Sequence, residues 1–147
     1  MSFKINSLLY TDSYKLGHQK MLAPGTTRLY GTWIPRSTKH APKGITKIVS
    51  FGQQLVWKWL HDEFEENFFF TKDRNKIGNI KALSEYQQLK EKALQFVKDM
   101  SLYLGMEYDG KHFEELWDLG YLPIKVKALP EGIETDPNIP HMTFINT

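Results

Sequence analysis

The 147 residues, 41% hydrophobic and 14% aromatic, suffice to bury one core but not two, so a single compact unit is expected. Nineteen Lys and Arg against seventeen Asp and Glu leave a formal charge of +2, far from the concentrated basic charge that holds proteins on nucleic acid, and the absence of cysteine excludes disulfides, thiolate metal sites and a cysteine nucleophile. No apolar run approaches the roughly 20 residues of a membrane span and Met1-Ser2-Phe3-Lys4-Ile5-Asn6 lacks a signal peptide's apolar core, so a soluble cytoplasmic protein with no membrane or nucleic-acid partner is expected.

In chain order, Leu8-Leu9-Tyr10 is a short apolar entry, and Thr11 or Asp12 can cap a short helix through residue 20 with Tyr14 and Leu16 on its apolar side. Ala23-Pro24-Gly25-Thr26 is turn chemistry, and residues 28–34 are β-prone up to Pro35. Arg36, Lys39, His40 and Lys43 give the next loop a cationic character, and residues 45–51 read as a second strand. Leu55, Val56, Trp59, Leu60 and Phe64 then fall at helical spacing.

Asn67-Phe68-Phe69-Phe70 breaks that pattern, with aromatics placed as anchors before a polar connecting stretch, 73–79, that has room for one helical turn. Ser84-Glu85-Tyr86-Gln87 has the form of a capping box, and Tyr86, Leu89, Ala93, Phe96, Val97, Met100 and Leu104 form one apolar stripe, the longest predicted helix. Asp109 can cap a further helix with Phe113, Leu116 and Trp117 on its inner face, which Gly120 is placed to end. Residues 122–129 alternate as a strand, Pro130-Glu131-Gly132 turns the chain, and a β-prone piece at 142–145 completes a final hairpin. The chain is expected to end inside an element, with an open edge that more chain would meet. The predicted fold is α+β: a small, mainly antiparallel sheet packed with three or four helices.

Neither GxGxxG nor GxxxxGK[ST] occurs, no serine sits in a GxSxG elbow, and the five histidines lack metal-ligand spacing. Two features remain. Thr11-Asp12-Ser13-Tyr14-Lys15 sets an acid, an aromatic and a cation in succession at a helix start, for which a capped helix with a core tyrosine is the plainer reading. Arg36 follows a strand and opens a cationic loop. A guanidinium's planar fork suits phosphate oxygens, although a solvated loop arginine is again the plainer reading.

The order of motifs adds to these. Leu9-Tyr10-Thr11-Asp12-Ser13-Tyr14-Lys15-Leu16-Gly17-His18, then a strand leading to Arg36, then Ser50-Phe51-Gly52 opening a helix, resembles the beginning of nicotinamide phosphoribosyltransferases. The stretches from Leu122 to Gly132 and from Pro140 to Thr147 resemble the same family about where its first domain passes into the next. Between these ends the match is one of helical pattern and length, and at Trp33-Ile34-Pro35-Arg36 the chain departs from the family's usual residues, with Pro35 able to re-aim Arg36.

The resemblance implies that residues 1–147 are the amino-terminal, incomplete domain of a type II phosphoribosyltransferase whose catalytic α/β barrel lies outside them. Such enzymes are two-domain homodimers that join nicotinamide to phosphoribosyl pyrophosphate, with Mg2+ assisting the departing pyrophosphate, in NAD salvage. By the resemblance, Asp12 and Tyr14 would line and stack against the nicotinamide bound mainly by the other subunit, and Arg36 would reach the phosphates across the interface. No catalytic or metal-binding residue is assigned to the chain, which is expected to be inactive alone. Two alternatives stand beside this: a domain of the related nicotinate enzyme, and a short binding or regulatory module that pairs with a full-length subunit.

Overall fold

The structure is a computed structural model and describes residues 11–77 and 84–147. The apolar entry Leu8-Leu9-Tyr10 and the end of the polar connection, 78–83, lie outside the described residues. The α+β prediction is correct, with helices and small antiparallel sheets. Length led us to expect one compact unit, but the chain divides into two, because it passes from one to the other at residues 17–18, 58–59 and 122–123.

The described part of the first unit comprises residues 11–17, 59–77 and 84–122. It opens on a 3-10 turn, Ser13–Gly17. The chain continues from it directly into α-helical residues, His18–Met21, so the short helix expected through residue 20 is present with its first turns tightened to 3-10 geometry. Leu16 alone packs toward the core, and its carbonyl accepts a hydrogen bond from the Tyr108 hydroxyl at 3.2 Å.

Helix α2, Gln53–Asn67, gives its residues from Trp59 onward to this unit. It ends where Phe70 takes a left-handed backbone (φ 48°), an unusual conformation for a bulky residue. The Phe70 carbonyl then accepts from the N–H groups of Asp73 and Arg74, both at 2.9 Å, which starts helix α3, Thr71–Ile77. Helix α4, Ser84–Leu104, buries Tyr86, Ala93, Phe96 and Met100 along the predicted stripe. Helix α5, Lys111–Leu119, ends at Gly120 (φ 83°), whose N–H bonds the Leu116 carbonyl, so the predicted stop is correct.

The core gathers Phe64, Phe68, Phe69, Ala93, Phe96, Met100 and Trp117. Trp117 is wholly buried, with Phe68 edge-on to it at 6.2 Å. Arg74 lies 4.3 Å over the Trp117 ring and donates to the Trp117 carbonyl (2.8 Å) and the Tyr86 hydroxyl (3.1 Å). A half-buried guanidinium is satisfied here by ring and hydrogen bonds together.

The second unit comprises residues 18–58 and 123–147. It contains the short helix α1, His18–Met21, and the first residues of α2. Strands β1 (Tyr30–Trp33), β5 (Met142–Asn146) and β3 (Ile124–Ala128) form an antiparallel sheet in the order β1-β5-β3. β5 is therefore the central strand, paired on both sides, rather than an open edge. Trp57 of α2 covers one face, donating from Nε1 to the Met142 sulfur at 3.1 Å and lying 6.4 Å from the Phe144 ring.

The strand expected over 45–51 is reduced to β2, Ile48–Val49, which pairs with an unpredicted β4, Glu134–Thr135. Pro42 and Gly44 (φ 91°) keep the approach to β2 in turns. A buried polar group ties this ribbon: Gln53 donates to the Ser50 hydroxyl at 2.5 Å, and Thr135 Oγ1 pairs with His141 Nε2 at 2.6 Å.

Candidate functional site

Asp12 and Tyr14 belong to the first unit, at the 3-10 turn. Two anchors fix this turn: the Asp12 carbonyl accepts the N–H of Lys15 at 2.9 Å, and Leu16 is held to the core and to Tyr108. Tyr14 is 66% exposed. The capped-helix reading with a core tyrosine therefore fails, because the ring is presented to the outside while Leu16 provides the packing.

Lys15 Nζ lies 3.1 Å from the Asp12 carboxylate and 5.7 Å from the centre of the Tyr14 ring. The Lys15 ammonium, and then a hydrogen bond with Tyr14, hold the Asp12 carboxyl below its usual range. Asp12 in turn holds the Lys15 ammonium above its usual range. Sequence reasoning gives Lys15 no role, although the Asp-x-x-Lys spacing on a helical turn is the signal that brings it to Asp12. Beside the turn, Thr11, Ser13 and Leu16 with Asp99, Met100 and Tyr103 of α4 line an open cavity of about 310 Å3. The turn thus combines a fixed carboxylate, a cation and an exposed aromatic ring, which is suited to holding a flat polar ring.

Arg36 belongs to the second unit, in the loop after β1. It is exposed, and among the described residues its guanidinium has no acidic or hydrogen-bonding partner. The approach to it is fixed by the backbone: the Trp33 carbonyl accepts the His141 N–H at 3.0 Å, and the Pro35 carbonyl accepts the Asn138 N–H at 2.8 Å, with Asn138 itself left-handed (φ 69°). Arg36 therefore leaves a held strand end with its five donors unspent, a disposition that suits an anion. Sequence reasoning did not find Asn138, because nothing local marks a residue whose partner, Pro35, is so distant in sequence.

Among the described residues no three His, Asp or Glu gather where they could hold a metal ion, and no helix is long and apolar enough to cross a membrane. The protein is, by these features, an α+β segment that displays its candidate polar groups at its surface rather than enclosing them in a pocket.

No family model matches the chain. Along its whole length, however, it is 36% identical over 151 aligned positions to the nicotinamide phosphoribosyltransferase of Acinetobacter baylyi. It spans 27% of that enzyme's length, consistent with an amino-terminal segment. The chain is thus a sequence relative of nicotinamide phosphoribosyltransferase, as the order of its motifs indicated.

Proposed function

We propose that residues 1–147 form the amino-terminal domain of a nicotinamide phosphoribosyltransferase acting in cytoplasmic NAD salvage. The observation that carries this reading is the relationship to the Acinetobacter baylyi enzyme across every part of the chain. In the proposed reaction the ring nitrogen of nicotinamide forms a bond to C1 of phosphoribosyl pyrophosphate as the bond from C1 to the pyrophosphate oxygen breaks. The products are nicotinamide mononucleotide and pyrophosphate. Positive charge develops on the ribose and negative charge on the leaving group, so the protein's task is to hold the base in line and stabilise the departing phosphates.

In this proposal Tyr14 lays its exposed ring on the pyridine of nicotinamide, and the Asp12 carboxylate, paired with Lys15, offers an acceptor at the edge of the base. Arg36 directs its unpaired guanidinium to the phosphates. Both contacts are made across the interface of a homodimer, and the barrel that completes the site lies outside residues 1–147. Magnesium bound with phosphoribosyl pyrophosphate supplies charge neutralisation on the leaving group; the described residues of this chain offer no cluster to hold it. Alone, the chain orients and contacts substrate without turnover.

The test is to assay the chain alone, and then with the relative's remaining sequence joined in frame after Thr147. The expected result is no nicotinamide mononucleotide from the chain alone and measurable synthesis after joining. Turnover by the chain alone would overturn the proposed division of labour. A folded, dimeric joined protein that binds phosphoribosyl pyrophosphate yet makes no product would count against the family activity.

A further inference from the structure

Within the second unit, Trp57 packs on one face of the sheet, and the other face is without such cover among that unit's described residues. Alternation along the strands places Gly31, Trp33, Val126, Ala128, Met142 and Phe144 on the side where Trp57 packs. The opposite side carries two rows set by the register: Tyr30, Ile145 and Lys125 in one, and Thr32, Thr143 and Lys127 in the next. A cavity of about 350 Å3 opens on this side, lined by Tyr30, Lys125, Lys127, Thr143 and Ile145 together with Phe144 of the central strand.

The charge on this face is unbalanced. Lys15, Lys47, Lys72, Lys90 and Lys111 each have a carboxylate oxygen within 3.9 Å. Lys125 and Lys127 have none among the described residues, and no acidic side chain lines the cavity. Two strand positions apart on one face, their Cα atoms are about 7 Å from each other, so both flexible stems can bring their ammonium groups to one anion. Without an anion the two like charges repel. The Thr143 hydroxyl stands between β1 and β3 as a donor, while Tyr30, 66% exposed, and Ile145 supply a flat apolar wall beside the charges. The volume is at the small end of ligand sites, about the size for one compact molecule.

We propose that this open sheet face is a binding site for a small phosphate ester. Lys125, Lys127 and Thr143 hold its phosphoryl group, and Tyr30 and Ile145 carry its flat or apolar part. The site is separate from the activity proposed above, since none of Asp12, Tyr14 or Arg36 lines it.

Adenosine 5′-monophosphate, inorganic phosphate and adenosine serve as probes of the full 147-residue chain, by calorimetric titration and by shifts of backbone amide signals. The monophosphate is expected to bind saturably, more tightly than phosphate or adenosine, with shifts concentrated at Tyr30, Lys125–Lys127 and Thr143–Ile145 and with affinity falling as salt rises. Lys125→Gln combined with Lys127→Gln is expected to weaken binding at least tenfold, by roughly the worth of the lost charge-assisted hydrogen bonds. Lys47→Gln, at a lysine already paired with Asp136, is expected to leave binding unchanged. If the double variant loses its sheet by circular dichroism, the two single variants, each expected to weaken binding severalfold, carry the test. The proposal is overturned by the absence of saturation at millimolar monophosphate, by shifts centred elsewhere, or by an equal loss in Lys47→Gln. Phosphate binding as tightly as the ester would remove the role given to Tyr30 and Ile145, and an oligonucleotide binding far more tightly than the mononucleotide would replace the site with a nucleic-acid surface.

Discussion

The carboxylate of Glu131 accepts hydrogen bonds from the backbone N–H of Gly52, at 3.1 Å, and from that of Gln54, at 3.3 Å. The first turn of α2 has no acidic residue of its own, so Glu131 supplies from the other end of the sequence both an acceptor for N–H groups at the helix start and a negative charge at its positive pole. Replacing Glu131 by Ala is expected to cost about 1 kcal/mol, the usual worth of a lost cap, and Glu131→Gln to cost less because the amide oxygen still accepts. Urea unfolding checks this. Equal stability of all three proteins would show that water satisfies the helix start equally well.

Gly31 pairs with Phe144 across β1 and β5, and the phenyl ring lies where a side chain at position 31 would begin. A Cβ there would overlap three ring atoms, while Trp57 stands against the same ring on the covered face and limits its retreat. Gly31→Ala, although favourable for an unfolded chain with less freedom to lose, is expected to destabilise by about 1–3 kcal/mol through overpacking. The second variant Phe144→Leu in the Gly31→Ala background is expected to restore part of the loss. Thermal melting of the two proteins measures both effects, and a Gly31→Ala melting point at or above the parent's would show that the ring moves freely.

What the sequence could show follows from the range of the forces involved. The helices α4 and α5 were legible because their buried residues, Tyr86, Ala93, Phe96 and Met100 on one and Trp117 on the other, repeat at helical spacing within a short window. Phe68 and Phe69 were read as anchors, yet their place at the centre of the core was not, since they follow the break in the α2 pattern and are set by Phe70's left-handed turn. The β2–β4 ribbon was illegible: two residues on each side show no alternation, and Ile48 and Thr135 meet only through the folded chain. The central position of β5 was hidden for the same reason, because alternation marks a strand without naming its neighbours. At the candidate site, Asp12, Tyr14 and Arg36 were singled out by type and order, whereas the groups that hold them in place, Tyr108 and Asn138, are distant in sequence and chemically ordinary.

His112 lies at the start of α5, with its ring 3.9 Å from that of Phe113 and near Tyr108. Burial holds its pKa below the ordinary 6.5, while Asp109 and Glu115 pull the other way with less effect. A depressed folded-state value means that below 6.5 the unfolded chain takes up a proton that the native chain resists. Stability is therefore fully present above the unfolded value and is lost as pH falls through it toward the folded value. The unfolding midpoint in urea is expected to drop between pH 7.5 and 5.5, and His112→Gln is expected to flatten that dependence. A variant with the same slope as the parent would assign the pH response to other groups.

Tyr14 offers a way to separate the ring from its hydroxyl. The ring is exposed on an anchored turn, whereas the hydroxyl helps Lys15 to hold the Asp12 carboxyl below its usual range. If the ring's role in the joined enzyme is to stack on the base, Tyr14→Phe is expected to keep kcat/KM within about threefold, and Tyr14→Ala to lose roughly tenfold or more. The loss should fall mainly on KM for nicotinamide, since a stack that grips the base equally before and during reaction contributes uniform binding and leaves kcat little changed. The Phe variant is also expected to move the Asp12 carboxyl back toward its ordinary value, which a carboxyl titration by NMR reads directly. Equal losses in the Phe and Ala variants would transfer the role from the ring to the hydroxyl and, through it, to Asp12. An Ala variant with unchanged KM and kcat would remove Tyr14 from the site altogether.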